Sequence, residues 1–182
     1  MSPNTTSAKA NSPEGKRLKL AGVCGIAAPA FSLSCIFLAI SLSSWFTWSG
    51  NALSDLGVGE AGWLFNSGLV AGGILTMIFA TGQFSSYKDA ARRFGALLFF
   101  LSALSLVGIG VFSEDAGRIH FYFSVAFFAL LALSLVALGI GNILAGSRKI
   151  GALALIFGFV AALPWAFGWS AVAVPELISS LA

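Results

Sequence analysis

Of 182 residues, 58% are hydrophobic and 9% charged, with a mean hydropathy of +0.92, whereas soluble domains carry about a quarter charged residues. A chain of this composition lives in a bilayer, and at roughly 20 apolar residues per span it holds one bundle of five or six helices and no second domain. The net charge is +3, and the basic patches lie beside the expected inner membrane face, where they suit topology and anionic lipid better than nucleic acid.

Residues 1–17, "MSPNTTSAKANSPEGKR", are polar, lack an apolar period and are expected to form a flexible cytoplasmic tail. Residues 18–182 then form a single transmembrane domain. Five apolar runs bounded by charge follow: Leu20 to Leu42, Trp63 to Gly82, Phe94 to Phe112, Ile119 to Leu144 and Ile150 to Trp169. The first run exceeds the core of about 7–15 residues found in signal peptides, which predicts a retained helix over a cleaved leader. Cys24 and Cys35, both in this run, are separated by roughly 16 Å of helical rise, cannot bond to each other and read as packing residues. Strand-like alternation is absent, so the expected class is all-α. The tail Ser170 to Ala182, with its "PELISSLA", is too short to cross and reads as an interfacial or re-entrant helix.

Charge sets the expected orientation. With a cytoplasmic amino terminus, the inner face holds Lys9, Lys16, Arg17, Lys19, Lys88, Arg92, Arg93, Arg148 and Lys149, leaving Arg118 outside. Nine basic residues less Glu14 and Asp89 leave about +7 inside, while Asp55, Glu60, Glu114, Asp115 and Glu176 against Arg118 leave −4 outside. Trp45, Trp48, Trp63, Trp165 and Trp169 all fall at the same outer boundary, where an indole keeps its ring in acyl chains and its N–H among headgroups. A multi-pass protein of the cell membrane is the expectation.

Small residues recur four apart at Gly68 and Gly72, Ala137 and Gly141, and Ala154 and Gly158. Such pairs let helix backbones approach closely in lipid. They serve either packing within the bundle or a homo- or hetero-oligomer interface.

The polar residues that a membrane helix holds at a cost gather towards the outer face. The first loop offers Asn51, Ser54 and Asp55, the second helix Asn66, the second loop Ser113, Glu114, Asp115 and Arg118, the fourth helix His120, and the tail Glu176. Each has an ordinary explanation. Ser54 and Asp55 suit a turn, Ser113 and Asp115 suit a helix cap, Asn66 suits a bond to a neighbouring backbone, and Glu176 after Pro175 suits a helix dipole.

Four stretches in order, "NALSDLG", "FNSGLVAGGIL", "GVFSEDAGRIH" and "PELIS", resemble the DUF998 family of small prokaryotic and archaeal membrane proteins, over roughly Leu18 to Ser180. The resemblance implies a bundle of typically six helices, with Ser54, Asp55, Leu56, Gly57, Asn66, His120, Pro175 and Glu176 at the family's hallmark positions. The last helix, cut short here, would be a truncated sixth. The resemblance carries no activity and names no cofactor.

Taken together, these residues predict an outward polar pocket with a tryptophan collar that binds a lipid-like or amphiphilic small molecule among the membrane lipids. Ligand contacts would come from Asn51, Asn66, Glu114, Asp115, Arg118 and Glu176. The alternative is a membrane-embedded hydrolase in which His120 is general base or acid, Asp55 or Asp115 orients it, and Ser54 or water attacks an ester or amide of a lipid-like substrate. A structural subunit of a larger complex stands third. One histidine gives thin grounds for zinc, and a harder ion among carboxylates is easier to defend. No paired histidines suit a haem, and no phosphate loop or dinucleotide fingerprint occurs. Transport is disfavoured because the mid-helix positions are nearly all apolar, Ser or Gly.

Overall fold

The computed structural model describes residues 12–181. Among them are six α-helices: α1 Pro13–Leu42, α2 Gly62–Ser86, α3 Ala90–Val111, α4 Arg118–Leu144, α5 Arg148–Ala162 and α6 Ala173–Ser180. Short 3-10 turns lie at Ser54–Gly57, Glu114–Ala116 and Leu163–Ala166, and no strand occurs among the described residues. Helices α1 to α4, and α5 with its continuation to Ala166, are long and apolar enough to cross a membrane. The protein is an all-α, multi-pass membrane bundle.

The helix ends follow local chemistry. Ser12 caps α1, its Oγ accepting from Gly15 N at 3.1 Å with Pro13 in the first helical position. This starts α1 well before Leu20 and places Lys16, Arg17 and Lys19 on helix. The part of the expected flexible tail that falls at residues 1–11 lies outside the described residues. Asp89 caps α3, accepting from Arg92 N at 2.8 Å. The fifth span stops short of the expected Trp169 because Pro164, which lacks an N–H, turns the chain into a 3-10 segment.

The helices form a row in which each packs antiparallel on the next, held close by glycines. Gly68 and Gly72 of α2 lie against Cys35 and Ser32 of α1, and Gly82 lies against Ala21. Gly73 and Gly110 bring α2 and α3 together, Gly95 faces Leu138 of α4, and Gly158 of α5 faces Leu135 and Val136. In lipid, where apolar side chains gain nothing by leaving solvent, such approach supplies dispersion contacts and short polar bridges. Ser32 Oγ donates to Gly68 O at 3.1 Å, and Ser102 Oγ to Phe127 O at 3.0 Å. Both cysteines are free and buried. Large apolar side chains such as Ile26, Phe121 and Phe159 lie exposed on the outer faces, as a lipid-bathed surface requires.

The two ends of the row, α1 and α5, pack little on each other. Helix α6 fills the gap at one end of the bundle. Its Ser179 is fully buried, donates to Ala161 O at 2.8 Å and accepts from Trp165 Nε1 at 2.9 Å. Ser180 borders a small cavity with Ile36, Leu69 and Phe127, so α6 dips into the bundle interior. We call this end, with its carboxylates, the acidic end, and the opposite one the basic end.

Candidate functional site

The first loop is a folded unit. Asp55 Oδ2 accepts from Asn51 Nδ2 at 2.8 Å and from Ala52 N at 3.0 Å, while Asn51 Oδ1 accepts from Thr47 N at 3.0 Å. This is the side-chain-to-backbone bonding that Asn and Asp favour in turns. Asn66 Nδ2 donates to Gly57 O at 2.9 Å, fixing the end of the loop to the first turns of α2. The loop is then tied across the bundle to α6: Leu53 N donates to Glu176 Oε2 at 2.6 Å, and Ala173 N to Asn51 O at 3.1 Å.

The second loop brings its own groups to the same place. Gly117, with φ of 61°, stands at the start of α4, a left-handed conformation that glycine adopts without steric cost. The expected capping of α4 by Ser113 and Asp115 does not occur: Ser113 Oγ donates to Asp115 Oδ1 at 2.5 Å, and α4 has no side-chain cap. His120 is 7% exposed and its Nδ1 lies 2.7 Å from Phe112 O. A carbonyl only accepts, so Nδ1 carries a proton and donates it to Phe112 O.

Between α4 and α5 lies a cavity of about 580 Å³. Phe121, Val125, Phe128, Ala129 and Ala132 of α4 form one wall, with Ala162, Trp165 and Val172 opposite. Ser54, Glu114, His120 and Glu176 close its acidic end, and Ser124 adds a hydroxyl one turn further in. From His120 to Ala132 the wall runs about 18 Å along α4. Alanines at positions 129 and 132 hollow it, and Trp165 packs on Phe128 with ring centroids 4.8 Å apart.

The carboxyls respond to one another. Burial pushes the Glu176 carboxyl up, the Leu53 N–H partly offsets this, and the nearby Glu114 and Asp55 raise it further, to about 7. Glu114 is raised as well, by burial and by the adjacent Asp55 carboxyl, with Ser54 and His120 acting the other way. Burial raises Asp55, but bonds from Asn51, Glu114 and Ala52 outweigh it and leave the group below its ordinary value. Glu114 Oε2 is buried without a hydrogen-bond donor.

The structure thus divides the residues singled out from the sequence. Ser54, Glu114, His120 and Glu176 line the cavity, and Asp55 stands behind them. Asn51 and Asn66 shape and anchor the loop. Asp115 and Arg118 are exposed and do not line the cavity. The hydrogen bond between Asp55 and His120 that a catalytic relay would use is not made, since Phe112 O orients the ring and Asn51 and Ala52 occupy Asp55 Oδ2. Among the described residues, no group of three His, Cys, Asp or Glu is placed to hold a metal ion. Of the expected tryptophan collar only Trp165 lines the cavity, and sequence reasoning missed Ser124 and Phe128 as lining residues. Ser124 and Phe128 follow His120 by four and eight positions, which puts them on its helix face, and that spacing was the available signal.

No curated protein and no solved structure matches this chain. A family model, Protein of unknown function (DUF998), matches residues 26–182, which takes in α1 from its fourth turn onward, both loops and α6, and the chain belongs to the DUF998 family.

Proposed function

We propose that this protein is a binding or accessory protein of the cell membrane that holds a lipid-like amphiphile between α4 and α5. In this reading the amino terminus is cytoplasmic and the acidic end faces outward. The polar head rests against Ser54, Glu114, His120 and Glu176, and the tail lies along Val125, Ala129 and Ala132. One observation carries the reading: the cavity is apolar along its length and has its charged and buried polar groups at one end, the form of an amphiphile's binding site.

The hydrolase alternative has less in its favour, because Ser54, His120 and Asp55 share no hydrogen bond with one another. A purely structural subunit would leave the polar head of the cavity without a role. The glycine faces expected to serve an oligomer, at Gly68, Gly72 and Gly158, are occupied within the bundle.

The test is to fill the cavity. Ala129→Trp places an indole in the groove, whereas Leu133→Trp on the exposed face of α4 does not. Retention of a single-chain amphiphile, read by native mass spectrometry, is expected to fall about tenfold or more in the first variant and stay unchanged in the second. Equal retention in both would remove the cavity reading.

A further inference from the structure

We propose that the head of this cavity selects amphiphiles whose polar end is an ammonium group, a primary or secondary alkylamine with N–H donors and positive charge. The inference rests on the amphiphile reading above and specifies the chemistry of the headgroup.

The groups that meet at the acidic end are overwhelmingly acceptors. Glu176 is 9% exposed and takes a single N–H, from Leu53. Glu114 Oε2 is buried without a donor. His120, 7% exposed, donates through Nδ1 to Phe112 O and lines the cavity beside the carboxyls. Only Ser54 and Ser124 bring hydroxyls. No lysine or arginine answers these carboxyls, because the side-chain ion pair among the described residues joins Arg92 to Asp89 at the basic end, and Arg118 is exposed outside the cavity.

Three neighbouring carboxyls without a lysine or arginine beside them disfavour a phosphate or carboxylate head. A hydroxyl head supplies one donor and no charge. An ammonium supplies up to three charge-assisted donors to acceptors that otherwise go unpaired in an apolar setting. It also relieves the mutual repulsion of Asp55, Glu114 and Glu176. The same chemistry occurs on the ethanolamine head of a phospholipid and on a free long-chain amine.

The experiment uses the full chain in phosphatidylcholine nanodiscs, titrated near pH 8 with dodecylamine, dodecanol and dodecanoate and followed by tryptophan fluorescence. Dodecylamine is expected to bind about tenfold more tightly than either of the others. In Glu176→Gln the ratio of amine to alcohol affinity is expected to fall towards one. A parallel arm compares lysophosphatidylethanolamine with lysophosphatidylglycerol. Preference for the ethanolamine lipid supports the inference with a phospholipid ligand, and preference confined to dodecylamine supports it with a free amine. Equal binding of the three dodecyl probes by the wild-type protein overturns the headgroup inference and leaves the cavity reading standing. Failure of every probe to bind, or binding indifferent to Ala129→Trp, overturns both.

Discussion

Glu176 stands in the first turn of a short helix, where the helix dipole alone accounts for an acidic residue. Its carboxylate nevertheless accepts the Leu53 N–H from 123 positions away, and burial with Glu114 and Asp55 nearby raises it from an ordinary 4.5 to about 7. Between those values the folded protein holds a proton that the unfolded chain has lost. Stability therefore falls as pH rises through that window, by on the order of 3 kcal/mol. Asp55, held below its ordinary value of 3.8, has the opposite effect and costs stability as pH falls through the acid range. Melting temperatures of the solubilised protein at pH 5 and pH 8 check the first statement. The wild type is expected to melt lower at pH 8, and Glu176→Gln, which keeps an oxygen for Leu53 N–H and cannot ionise, to lose most of that difference. An equal drop in both proteins would assign the effect elsewhere. The identity of this residue was legible in the sequence; its partner was not, because a bond spanning most of the chain leaves no periodic or local trace. His120 teaches the same lesson. Its position on a polar face could be read, whereas its orientation by a backbone carbonyl could not, since every residue type presents that group.

The helices themselves could be read with little error, because a segment in hydrocarbon must close its own hydrogen bonds and so announces itself as a long apolar run. The exceptions lie where polar groups decide. Ser12 carries α1 beyond its apolar stretch, Pro164 ends α5 early, and α6 is drawn into the interior by the Ser179, Trp165 and Ala161 bonds. Glycine spacing correctly marked close packing but could not tell which glycines bear it. A Cβ at Gly72 would collide with Ser32, whose Oγ bridges to Gly68 O, whereas one at Gly22 would meet nothing within 4 Å. Gly72→Ala is accordingly expected to destabilise by about 1–3 kcal/mol through overpacking. Gly22→Ala is expected to be neutral or to stabilise by up to about 1 kcal/mol through helix propensity. Denaturant titration of the pair in one detergent checks both, and similar losses would mean that the α1 and α2 contact tolerates displacement.

Across the whole molecule, antiparallel packing places the starts of α1, α3 and α5 at one end and the two folded loops at the other. Lys88, Arg92, Arg93, Arg148 and Lys149 gather at the first, where Arg93 lies over the Phe84 ring with its guanidinium 4.2 Å from the centroid. Trp45, Trp48 and Trp63 border the second, together with Asp55, Glu60, Glu114, Asp115 and Glu176. Basic residues near the ends of spans are retained on the cytoplasmic side, and acidic residues contribute little to that choice. With one basic residue, Arg118, at the acidic end among those described, the orientation proposed above, amino terminus inside and the cavity's polar head outside, is the one this rule predicts. The two native cysteines are buried, so introduced thiols report with little background. In intact cells an impermeant maleimide is expected to label Glu60→Cys and to reach Lys149→Cys only after the membrane is opened. The reverse pattern would turn the cavity head to the cytoplasm. Labelling of both positions in intact cells would mean that the chain inserts both ways, which the crowding of basic residues at one end is expected to prevent.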